Sequence, residues 1–124
     1  MNGRSNQYRL HHWQLAERQR HLDELESLVE RLRADVERLR DEIDQAGGDA
    51  AVPTNGRIDP LFIRPLLERR DKLLGSIAEV EERINEARAA VAASQQEMKL
   101  VEGAFALRGL KFEERMTRRS RRSM

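Results

Sequence analysis

Three histidines, 22 carboxylates and a run of C-terminal arginines are the side chains that could do chemistry in this chain of 124 residues. His11 and His12 are adjacent, and His21 lies well beyond them. No two therefore have the four-residue spacing that lets a pair of imidazoles share a metal from one helical face. Cysteine is absent, which removes disulfide frameworks, thiol nucleophiles and thiolate-bound metal and fits a reducing compartment. The chain has no glycine-rich phosphate loop, serine elbow or paired-carboxylate pocket. Its acids read as the solvated faces of long helices, which offer no cleft to shift a pKa. The expectation is a protein without catalytic activity, metal, cofactor or small-molecule substrate. The basic stretch Arg115, Arg118, Arg119, Arg121 and Arg122 could meet phosphates, anionic lipid or an acidic protein surface. Alternatively it is a solubilising disordered tail over residues 119–124. No aromatic residue is interleaved in it, so it lacks a stacking platform for single-stranded nucleic acid.

The elements that position these groups follow from composition and periodicity. Charged residues make up 36% and aromatics only 4%, too little aromatic material for a compact central core and typical of exposed helices. The net charge of +1 hides an uneven distribution. Residues 1–21 carry four arginines and one acid, residues 22–107 carry 12 bases and 19 acids, and residues 108–124 carry seven bases and two acids. Both ends are basic around an acidic middle, so a chain that doubles back brings two positive ends to one pole. No apolar run approaches a membrane span, and residues 1–15 hold no signal-peptide-like apolar stretch. These features predict a soluble cytoplasmic protein.

From Leu22 onward the apolar positions Leu22, Leu25, Val29, Leu32, Val36, Leu39 and Ile43 alternate by three and four, a coiled-coil seam. Extended backward, the same register sets Tyr8 and Leu15 on the seam together with His11 and Arg18. Gly47 and Gly48 read as the helix stop, which bounds a first helix at about 5–46 and a loop at 47–58 containing Pro53 and Asn55-Gly56. A second helix at about 60–118 starts with Asp59 as cap, Pro60 in the first turn and Ile58 stapled onto Ile63. Pro65 predicts a kink or a short first segment near Arg64. The second seam runs Ile63, Leu66, Arg70, Leu73, Ile77, Val80, Ile84, Ala87 and Val91, then Ser94, Met98, Val101, Phe105 and Phe112.

Two stripes of one period joined by a short loop bury each other when the helices pack antiparallel. The fold class is therefore all-α, a single two-helix antiparallel coiled-coil hairpin with the longer helix second. Setting Ile43 opposite Ile63 brings Val29 to Ile77, Leu22 to Ile84, Leu15 to Val91 and Tyr8 to Met98. The last part of helix two then projects alone. Several apolar residues fall off the seam near the basic ends: Leu10 and Trp13 on helix one, and Leu100, Leu107 and Leu110 on helix two. Uncovered, they cost solubility, and they have the character of interface anchors. Gly103 and Gly109 weaken the projecting helix, so ordering on contact with a partner is expected.

The opening Tyr8-Arg9-Leu10-His11-His12-Trp13-Gln14-Leu15, which leads straight into heptads, resembles the FliJ family of flagellar type III export proteins. So does the late Gln96-Glu97-Met98-Lys99-Leu100-Val101-Glu102 followed by a basic end. The resemblance implies an antiparallel coiled coil, similar to a rotary-ATPase stalk, whose end made of both termini enters the ring of the export ATPase. By the same resemblance the partners are that ATPase ring, the cytoplasmic domain of the export gate and the export chaperones. Location would be cytoplasmic, peripheral to the inner face of the membrane through those partners. Leu10, Trp13, Leu100, Phe105, Leu107, Leu110 and Phe112 fall in the part that would meet the ATPase, and Phe62, Leu67 and Leu74 in the part that would meet the gate. Two other classes compete on the residues alone: a nucleic-acid-binding helical hairpin, and a self-associating structural coiled coil.

Overall fold

A computed structural model describes residues 3–50 and 60–122, with side chains over 6–47, 61–110 and 112–119. The described residues form two helices and no strand: α1, Gly3–Ala50, of 48 residues, and α2, Pro60–Arg122, of 63 residues. Asp59, Ile58 and Pro53, assigned to the cap, the staple and the loop, lie outside the described residues.

Three boundaries differ from the sequence expectation. α1 does not stop at Gly47 but continues to Ala50. A helical glycine costs only about 1 kcal/mol relative to alanine, so Gly47 and Gly48 permit a stop without compelling one. α2 runs unbroken through Pro65 from Pro60, and the short first segment is not formed. Pro65 is the sixth residue of α2, so it costs the helix one bond, to a carbonyl of its first turn, and the rest of the ladder is kept. The basic stretch expected as a disordered tail from 119 is helical to Arg122.

The chain divides into two compact units, Met1–Arg20 with Ala87–Met124, and His21–Glu86. Each contains a stretch of both helices. In the His21–Glu86 unit the buried side chains are Leu25, Val29, Val36 and Leu39 from α1 and Ile77, Val80 and Ile84 from α2. All are seam positions, and most charged residues between them are exposed, with Glu26 and Asp35 half-buried, as an amphipathic helix allows. Arg33 Nη2 donates to Glu81 Oε1 across the two helices at 2.7 Å. In the unit holding both chain ends the seam residues Ala87, Val91, Ser94 and Met98 are buried.

The cross-helix pairs correct the alignment drawn from the sequence. Tyr8 packs edge-on against Phe105, with ring centroids 5.8 Å apart, one heptad beyond the Met98 that an Ile43–Ile63 alignment sets there. Arg33 meets Glu81, where that alignment would present Leu73. The reason is a degeneracy in the pattern: sliding one helix by seven residues puts every a and d residue back on an a or d position. Polar residues break the degeneracy. In the observed alignment Arg18 donates to Ser94 Oγ, whereas the expected one would set Arg18 opposite Arg88, a like-charge pair beside the seam.

Candidate surface at the chain ends

The unit that holds both chain ends has a seam unlike that of its neighbour. Ser94 is the most buried side chain described, at 2% exposure, and its hydroxyl accepts from the half-buried Arg18 guanidinium. Next along α1, His11 Nδ1 lies 3.5 Å from Glu97 Oε2 and makes no hydrogen bond. Tyr8 then stacks on His12, four residues on in the same helix, with ring centroids 6.2 Å apart, and meets the edge of Phe105. Going toward the N-terminus of α1, the seam passes from aliphatic to polar and then to aromatic. Within this unit Arg18 with Ser94, His11 with Glu97 and Tyr8 with Phe105 run in opposite chain senses along the two helices.

The apolar residues singled out from the sequence are on the surface. Leu10 and Trp13 are exposed on α1, Trp13 at 61%. Leu100, Leu107, Leu110 and Phe112 are exposed on α2. Heptad position separates them: Leu10 and Trp13 face away from the seam on α1, and Leu100, Leu107 and Leu110 face away from it on α2. They form two outward faces and not one patch. Phe105 differs from the rest, because at 39% exposure it is partly engaged by Tyr8 as a seam residue. In the other unit Phe62 and Leu74 are exposed and Leu67 is half-buried.

Of the basic stretch, Arg115, Arg118 and Arg119 are exposed, while the side chains of Arg121 and Arg122 lie outside the described residues. A crevice lined by Leu110, Glu113, Glu114, Thr117 and Arg118 lies on α2 alone. Another, in the His21–Glu86 unit, is framed by Asp35, Arg38, Leu39, Glu42 and Arg69. Both are side-chain grooves between charged residues. Among the described residues no group of three or more His, Asp or Glu side chains could hold a metal ion, and no helix is long and apolar enough to cross a membrane.

Two features escaped the sequence reading. Met116, exposed at 51%, extends the apolar line of Phe112 one turn further; its four-residue spacing from Phe112 was the available signal. The Arg18–Ser94 layer was legible only as two weak seam positions, because nothing in the one-dimensional pattern says that they meet.

No protein-family model, curated protein or solved structure matches this chain.

Proposed function

We propose that this chain is a non-enzymatic stalk or adaptor of a flagellar type III protein export apparatus. In this reading it is an antiparallel two-helix coiled-coil hairpin whose unit with both chain ends sits inside an export ATPase ring. One observation carries it: that unit exposes large apolar side chains on the outward faces of both its helices, Trp13 on α1 and Leu107 on α2. A partner docking against one side covers only one of these faces. A partner that surrounds the unit covers both, as a ring does, and burying several such side chains at once supplies the anchors of a specific interface. The resemblance of residues 8–15 and 96–102 to the FliJ family supplies the identity of the ring. Phe62 and Leu74, with the half-buried Leu67, are the apolar residues assigned to the export gate, through which the chain would be peripheral to the membrane. Export chaperones complete the set of partners.

The test is co-sedimentation of the purified chain with its cognate ring ATPase. Trp13→Ala and Leu107→Ala remove exposed side chains on opposite faces, so the fold is retained, and each is expected to weaken association by about tenfold. Phe105→Ala also disturbs the Tyr8 contact and is the less selective probe. Association unchanged by both Trp13→Ala and Leu107→Ala would remove the assignment of this unit to the ring.

A further inference from the structure

The seam of α2 continues beyond its packed residues. Met98 on this stripe is 5% exposed and Phe105 is held by Tyr8, but the next seam residue, Phe112, is 64% exposed, and Met116 beside it is similarly open. Tyr8, which meets Phe105, stands near the described start of α1 at Gly3, and the described part of α2 continues to Arg122. The stripe therefore goes on in an unchanged register with its apolar side chains exposed. Its character also changes. The positions that carry Ala87, Ser94 and Val101 in successive heptads carry Arg108 and Arg115 next, with Arg118 alongside, all exposed. An apolar line of Phe112 and Met116 is thus flanked on one side by guanidinium groups.

We infer that residues 105–119 of α2 form an open coiled-coil seam that takes an α-helix of a partner protein, one with an apolar stripe flanked by carboxylates. The seam is continuous with the packed α1–α2 interface, so the geometry it offers is that of a helix laid along it and not of a flat surface. The arginines at core-facing positions select the partner's charge: a carboxylate opposite each is accepted, and a base is rejected. A second copy of the same segment is disfavoured, because pairing the two would set arginine rows against each other. An anionic bilayer is the weaker fit, since only Phe112 and Met116 would enter its apolar region and Glu113, three residues before Met116, sets a carboxylate at the edge of that line. The inference deepens the reading of this unit as a docking surface by giving the chemistry of what docks.

The experiment uses the full chain and a fluorescent synthetic peptide of about three heptads, with leucine along its seam and glutamate at the flanking positions. A second peptide has lysine at every glutamate. The glutamate peptide is expected to bind in anisotropy titrations and the lysine peptide not to. Arg108→Glu with Arg115→Glu should lower affinity for the first peptide by more than about tenfold and confer binding of the second. Phe112→Ala should weaken the first without changing the preference. Circular dichroism checks that these exposed substitutions leave the helices intact. Equal binding of both peptides, no binding of the glutamate peptide, or binding only of phosphatidylglycerol vesicles or duplex DNA would overturn the inference. If the ring ATPase binds the chain but the peptide does not, and the arginine reversals leave ring binding intact, this inference alone fails. If the peptide binds and the ring does not, the ring reading alone fails.

Discussion

Ile84→Asp is expected to abolish cooperative thermal unfolding of the chain, read by far-ultraviolet circular dichroism. Ile84 is 5% exposed in the seam of the His21–Glu86 unit, between Val80 and Ala87 on the same stripe. Its replacement removes a buried apolar side chain and places an ionised carboxylate among aliphatic groups. An uncompensated buried charge of this kind costs on the order of 3–5 kcal/mol. Two helices bury one stripe each and have no second layer to absorb such a loss. Leu74→Asp, in the same unit but on an exposed position, is the matched control and should shift stability by no more than about 0.5 kcal/mol. Similar losses at both positions would mean that the stripe through Ile77, Val80 and Ile84 is not the core.

The opposite sign is expected from the glycines of α2. Gly75, Gly103 and Gly109 are helical, and a Cβ built on each meets nothing within 4 Å. Alanine restricts the unfolded backbone and strengthens the helix without a steric cost, gaining about 1 kcal/mol per site. Gly75→Ala, Gly103→Ala and Gly109→Ala combined should raise the thermal midpoint by several degrees. A lower midpoint would show that another part of the chain packs against those faces. Gly103→Ala and Gly109→Ala also stiffen α2 on the approach to Phe112. They should therefore raise affinity for a helical partner by reducing the ordering cost of binding.

The heptad pattern made the helices and their buried faces legible from sequence. Every seam residue of the His21–Glu86 unit found buried was a seam residue in the one-dimensional reading, because a three-four alternation of apolar side chains has no other economical way to leave water. The limits of that reading have the same origin. A strict repeat states which face is buried but not which heptad meets which, and Tyr8 met Phe105 in place of Met98. Gly47-Gly48 is a permissive signal, about 1 kcal/mol per glycine, and the larger cost of Pro65, about 3 kcal/mol, is still outweighed by the continuation of a long amphipathic helix. Surface placement of Leu10, Trp13, Leu100, Leu107 and Leu110 could be read from their distance off the seam. Their division between two outward faces needed both helices to be in place. The helix runs on to Arg122, past the expected tail boundary at 119, because composition alone cannot distinguish a solvated end from the flank of a helix whose apolar line, Phe112 and Met116, is only two residues long.

Cross-linking tests the antiparallel pairing within one molecule most directly. The chain has no native cysteine, so pairs can be introduced without background. Tyr8→Cys with Phe105→Cys should close a disulfide in the monomer under mild oxidation, and Tyr8→Cys with Met98→Cys should close slowly or not at all. Closure only between molecules, or faster closure of the Met98 pair, would contradict the packing on which the docking surface depends.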